Sequence, residues 1–315
     1  MAETKSIRRS NEATNQVVQI CCKGKRPYFC PQHFPGLIFE IVAARCWARA
    51  QSGAEMKPAL KVFKIGGGII DRETELTEFV RLFAKIDGPK ILVHGGGKGA
   101  SEMMKSLGIA PNLVNGRRIT DAATLDIVTM FYAGKTNKQL VAALQARGTN
   151  ALGLTGADGN VILATKRPVR AIDYGFVGDL SEASVNATLI DQLLRLGLTL
   201  VFCAINHDGH GQLLNTNADT IAASVAKALS AHYAVELHFC FEKRGVLADI
   251  DDDNSIIEII TLADYGALKE SGAISDGMLP KLENAFDALQ FGVEKVIIEH
   301  ALHLNEPLKT TLCLS

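Results

Sequence analysis

The chain has 315 residues, 47% of them hydrophobic and 21% charged, with a formal net charge of −1. That balance suits one large or two smaller globular domains and gives no electrostatic footprint for nucleic acid or an anionic membrane. The longest apolar stretch near the front, 37–50, is broken by Glu40, Arg45 and Arg49, so it is too short and too charged to span a bilayer, and no signal-peptide pattern precedes it.

The first 55 residues carry eight Lys or Arg against four Asp or Glu, whereas the remainder has a net charge of −5. They also hold Cys21, Cys22, Cys30 and Cys46, leaving Cys203, Cys240 and Cys313 for the rest of the chain. An odd total at irregular spacing argues against a disulfide framework and for a reducing compartment, so a cytoplasmic protein is expected. Cys30-Pro31-Gln32-His33 resembles half of a zinc site, but nothing elsewhere supplies the other half. Residues 1–55 read as an extension outside the core, with Met56 an alternative translation start. A targeting peptide is the other reading, weakened by the dispersed Glu residues and the Pro27 to Pro35 cluster.

From residue 60 onward short β-like runs alternate with amphipathic windows, the pattern of an α/β fold. Strands are expected at 60–65 and 90–94. Between them Leu76, Phe79, Val80 and Phe83 recur at helical spacing, and Met103, Met104 and Leu107 repeat the pattern. Each window follows a glycine turn, Gly66-Gly67-Gly68 in the first case and Gly95-Gly96-Gly97 in the second. Without a Cβ such turns let backbone N–H groups approach an anion, and a following helix adds its positive end. Helices are then expected from Thr120-Asp121 to Tyr132 and over 137–147, and a buried strand over 198–205. A helix from about Ala218 places Ile221, Val225 and Leu229 on one face. The last third is expected to hold strands at 235–241 and 295–298 and helices near 261–271 and 277–290, with a second lobe from residue 233.

Gly95-Gly96-Gly97-Lys98-Gly99-Ala100 formally satisfies G-x-G-x-x-A, but no acidic residue ends a second strand about twenty residues later, where Asn115-Gly116-Arg117-Arg118 stands instead. A Walker A motif fails because Leu92 and Gly99 occupy positions needing Gly and Ser or Thr. Asp249 to Asn254 lacks the Gly and terminal Glu of a calcium loop and reads as a solvated turn. His207-Asp208-Gly209-His210 resembles a metal pair only superficially and reads as a turn near a cleft, in the connection leading to Asn215.

Lys64-Ile65-Gly66-Gly67, His94-Gly95-Gly96-Gly97, Asn115-Gly116-Arg117-Arg118, Asn215-Thr216-Asn217-Ala218-Asp219 and Asp276-Gly277-Met278 with Lys281 stand in one order over 59–315. In this order they resemble the N-acylglutamate kinase branch of the amino acid kinase family. Aspartokinases and uridylate kinases differ at the first motif. One departure is Phe241-Glu242-Lys243-Arg244 ahead of Gly245-Val246-Leu247, where many members carry Ser-Asp-Val. The resemblance implies a three-layer α/β/α sandwich with a mainly parallel central sheet, an acceptor lobe over 56–232 and an ATP lobe over 233–315.

It also implies ATP-dependent phosphorylation of the γ-carboxylate of N-acetyl-L-glutamate, with Mg2+ accompanying ATP, in arginine biosynthesis. N-succinyl-L-glutamate is the alternative acceptor, because Arg117 and Arg118 offer charge for a second carboxylate. A catalytically weak arginine- or nucleotide-sensing subunit is the alternative role. A homodimer is expected. A carboxylate acceptor is ionised at neutral pH and needs no general base, so the task is to bring two anions together with positive charge and in-line positioning. Lys64 and Lys281 suit that task, and the resemblance puts Asp219 between them. Gly66 and Gly67, with Gly245 and Ser275, are assigned to the nucleotide. Gly96 and Gly97 are assigned to the acceptor and the moving phosphoryl group. Arg118 is assigned to the α-carboxylate, on the reasoning that Arg117 beside it points away, and Asn215 to the acylamino region. No protein ligand to the metal is named.

Overall fold

In Ala59–Ile65 (β1) successive side chains enter two different cores: Leu60 and Val62 pack into one, Phe63 and Ile65 into the other. A strand covered on both faces reads as a nearly unbroken apolar run, which is why this segment is legible in the sequence. The computed structural model describes residues 57–114, 117–249, 252, 255–270, 278–304 and 306–314. Residues 1–56, Asn115, Gly116, Ser275, Asp276 and Gly277 lie outside the described residues.

Seven further strands join β1: Lys90–His94 (β2), Ala151–Leu154 (β3), Thr199–Cys203 (β4), Ala234–Phe241 (β5), Ile259–Thr261 (β6), Lys295–His300 (β7) and Thr310–Cys313 (β8). Their order is β6-β8-β7-β5-β1-β2-β4-β3. All neighbours are parallel except β7 and β8. The register sets Ile65 beside both His94 and Cys240, so the turns that follow β1, β2 and β5 leave the sheet at one place. In an open parallel sheet that edge is where ligands bind.

Helices cover both faces. Glu73–Ala84 (α2, after the single turn Gly67–Ile70, α1) and Asn137–Gln145 (α5) bury Phe79, Val80, Phe83, Leu140 and Leu144 against one face. Ala187–Arg195 (α6), Ala218–Leu229 (α7) and Leu279–Gln290 (α9) cover the other with Ile190, Ile221, Val225, Leu282 and Phe286. The molecule is thus the expected three-layer sandwich on a mainly parallel sheet. Each fully buried large side chain, such as Phe79 or Phe239, contributes about 1.5–3 kcal/mol. Gly99–Ser106 (α3), Ala122–Thr129 (α4) and Leu262–Glu270 (α8) complete the helices.

Several boundaries depart from the sequence reading. The run 198–205 is not one strand: β4 stops at Cys203, Thr216 N–H takes the Ala204 carbonyl, and Ile205–His207 pairs antiparallel with Leu213–Asn215 in a separate ribbon. The helices expected over 120–132 and 137–147 are one continuous path, α4 and α5 joined by a π-helical turn, Met130–Thr136. Helix α3 ends at Ser106, leaving Leu107 exposed rather than in the core. No expectation covered α6, β6 or β8; β6 and β8 are three- and four-residue segments too short for a pattern to stand out, whereas α6 carries helical spacing in Ile190 and Leu194 that the sequence reading passed over. The expected lobe boundary falls immediately before β5, which lies in the continuous sheet next to β1.

Candidate active site

Lys64, the penultimate residue of β1, turns its ammonium group to Asp219, with Nζ 2.7 Å from Oδ1 and both side chains about nine-tenths buried (10% and 12% exposed). Asp219 is fixed by the start of α7. There the Asn217 side chain caps the helix, its Oδ1 accepting from the N–H groups of Asp219 and Thr220. The aspartate therefore meets the positive end of α7 and a lysine at once. Lys281, in the first turn of α9, stands with Nζ 4.0 Å from the centroid of the Phe241 ring, and Lys64 Nζ lies 5.3 Å from the same centroid. Burial, and then the charge of Lys64, hold Lys281 below the ordinary lysine pKa, while Asp219 and Glu242 act in the opposite sense. Asp219 thus touches Lys64 and reaches Lys281 through its field.

The two glycine turns are in contact. A Cβ on Gly67 would lie 2.6 Å from the Cα of Gly97, so only glycine backbones can approach this closely. Gly97 has φ +57, and its missing Cβ would also collide with the Asp71 carboxylate. That carboxylate accepts hydrogen bonds from the N–H groups of Lys98 and Gly99, capping α3 and holding the second turn against the first. The Gly66 N–H donates to the Cys240 carbonyl at 3.2 Å, which ties the first turn to the end of β5. A cradle whose walls exclude even a methyl group fits a polyphosphate held by backbone donors.

A cavity of about 240 Å3 opens beside this contact, bordered by Lys64, Gly67, Gly96, Gly97, Arg118, Asn215 and Asp219. The sequence reading missed Tyr132, which borders it too. Arg118 donates to Ser101 Oγ (2.8 Å) and Met104 Sδ (3.3 Å), and its Nε is buried with no hydrogen-bond partner. Asn215 Nδ2 donates to Thr120 Oγ1, which donates to the Arg118 carbonyl, tying Asn215 to Arg118. Contrary to expectation, Arg117 also borders the cavity. It is exposed on a two-residue strand at the rim, where strand alternation does not decide what a long side chain reaches. None of His207, Asp208, Gly209 and His210 borders the cavity: His207 Nε2 lies 2.9 Å from Asn160 Oδ1, and Asp208 closes the turn by accepting from His210 and Gln212. Gly245 is buried against Thr310 away from the cavity, and Ser275 lies outside the described residues. The Glu242 carboxylate packs beside Gly68, in the space a Cβ there would take. Among the described residues no three His, Cys, Asp or Glu side chains converge as a metal site.

His94, the last residue of β2, is fully buried beneath the second turn, and burial lowers its pKa to about 4. Nε2 accepts from Asn137 Nδ2 (3.1 Å), so Nδ1 carries the proton and donates to the Gly95 carbonyl (2.8 Å). The unfolded chain takes up this proton near pH 6.5 and the folded one only near pH 4. Stability is therefore expected to fall as pH drops through that window, by about 3 kcal/mol in total. Denaturant midpoints at about pH 7 and about pH 4.5 should show a smaller loss in His94→Gln than in wild type.

Residues 59–300 match the model of the amino acid kinase family, and the chain belongs to that family. It is 53% identical over 251 residues to the acetylglutamate kinase of Bacteroides thetaiotaomicron, covering 80% of this chain and 97% of that protein. It is 51% identical over 251 residues to the acetylglutamate kinase of Phocaeicola vulgatus, with the same coverage of both. Among solved structures, N-acetylglutamate synthase from Neisseria gonorrhoeae complexed with coenzyme A and N-acetyl-glutamate superposes with a TM-score of 0.69 at 20% identity. The match covers 89% of this chain and 64% of that one, a likeness of fold. Among the described residues no helix is long and apolar enough to cross a membrane.

Proposed function

We propose that the protein phosphorylates the γ-carboxylate of N-acetyl-L-glutamate with ATP, giving N-acetyl-L-glutamyl 5-phosphate and ADP for arginine biosynthesis. The observation that carries this reading is the contact of the two glycine turns beside the Lys64–Asp219 pair, in a chain 53% identical over 251 residues to an acetylglutamate kinase. A carboxylate oxygen forms the new P–O bond as the bond between the γ-phosphorus and the β,γ-bridging oxygen breaks, and ADP leaves with that electron pair. No proton has to move.

Residues 56–232 supply the acceptor side and 233–315 the nucleotide side. Lys64 and Lys281 neutralise the transferring group, and Asp219 holds Lys64 in place. The Gly67 N–H serves the donor phosphates, and the Gly96 and Gly97 N–H groups serve the acceptor and the group in flight. Arg118 binds the α-carboxylate and Asn215 the acylamino region. Mg2+ bound with ATP would shield phosphate charge, and the phosphates and water would hold it. The working form is a cytoplasmic homodimer.

The test is the full chain with MgATP and, separately, N-acetyl-L-glutamate, N-succinyl-L-glutamate, glutamate and aspartate, with acyl phosphate trapped by hydroxylamine. Hydroxamate from N-acetyl-L-glutamate is expected. Its absence would sink the assignment, and faster turnover of the succinyl compound would change the acyl group.

A further inference from the structure

Tyr132 lies in the π-helical turn Met130–Thr136 that joins α4 to α5, and it packs in the same core as Leu125 and Val128 of α4. Its ring lies against Gly96: a Cβ there would fall 1.5 Å from Cε1. The residue is 6% exposed, and what remains accessible faces the acceptor cavity. Burial raises the phenol above its ordinary pKa, the charge and hydrogen bonding of Arg118 offsetting part of this, so the hydroxyl is protonated at neutral pH. Arg118 borders the same cavity, and its Nε is buried with no partner.

We propose that the Tyr132 hydroxyl, together with Arg118, grips the α-carboxylate of the acceptor while the Tyr132 ring holds Gly96 in place. The proposal rests on the reading of the cavity as an N-acylglutamate site. A neutral donor backed by a guanidinium adds to the carboxylate's binding without adding net charge close to the transferring phosphoryl group. It also favours acceptors with a free α-carboxylate over those whose carboxylate is blocked, because blocking would leave both buried donors without an anion.

The experiment compares wild type with Tyr132→Phe, which keeps the ring and its packing on Gly96, using N-acetyl-L-glutamate and its α-carboxamide. The variant is expected to raise KM for N-acetyl-L-glutamate by about tenfold or more, the worth of a hydrogen bond to a charged group, with KM for ATP unchanged and kcat within about threefold. With the α-carboxamide, wild type is already weak and the variant is expected to lose less than about twofold further. An unchanged KM, or equal losses on the two acceptors, would overturn the contact. Calorimetric titration of both proteins with N-acetyl-L-glutamate gives the same comparison without turnover: equal affinities would overturn it, and a tenfold loss supports it even if phosphorylation itself fails.

Discussion

Lys64→Met is expected to lower kcat by about a thousandfold, the scale found when a preorganised charge that faces the transition state is removed. Lys64 is 8% exposed and its ammonium group is 2.7 Å from Asp219 in a site screened little by water, so its charge acts at nearly full strength on an anion beside it. The variant should also be less stable. Its Asp219 carboxylate stays buried at the start of α7 without its cation, a change that costs about 3–5 kcal/mol when a buried pair is broken from one side. Lys64→Met with Asp219→Asn removes both charges, and urea midpoints should then recover most of the loss while kcat stays low. Recovery of stability without activity separates the electrostatic role of Lys64 from its part in folding. If Lys64→Met kept kcat within tenfold of wild type, Lys64 would not be stabilising the transferring group.

The second large effect is expected from Gly67→Ala, and its cause is purely geometric. Gly67 has no positive φ, so alanine is tolerated by its own backbone. The added Cβ instead meets Gly97 Cα at 2.6 Å and Gly97 N at 3.2 Å, and neither atom can swing aside as the end of a flexible side chain can. The turns must separate, which costs about 1–3 kcal/mol as overpacking does. A shift of about 1 Å between donor and acceptor cradles should lower kcat/KM by about a hundredfold. Gly134→Ala is the control: it lies in the same molecule with nothing within 4 Å of its added Cβ, and both stability and kcat/KM should stay near wild type. Equal behaviour of the two variants would show that contact between the turns is not what catalysis depends on.

These two expectations differ in how far the sequence foreshadows them. The α/β class, β1, β2, α2 and α7, and the glycine turns between strand and helix are legible because they are local: apolar runs, helical periodicity and glycine punctuation depend on neighbours a few residues apart. Lys64 and Asp219, 155 positions apart, are paired in the reading only through a resemblance, and their 2.7 Å contact follows from the packing of α7 beneath β1. Arg117 shows the limit of strand alternation, which predicts it pointing away, whereas at the rim its length brings it to the cavity.

By itself the sequence determined the class of fold, the strands that end in glycine turns and which residue types could neutralise a polyphosphate. Tertiary structure alone decided that Gly67 and Gly97 touch, that Cys240 takes the Gly66 N–H, that Asp71 caps the second turn, and that a π-helical turn seats Tyr132 on Gly96. Each of these joins backbone or side-chain atoms from separate elements, and their positions follow from strand register and helix packing, which no local pattern of residues encodes.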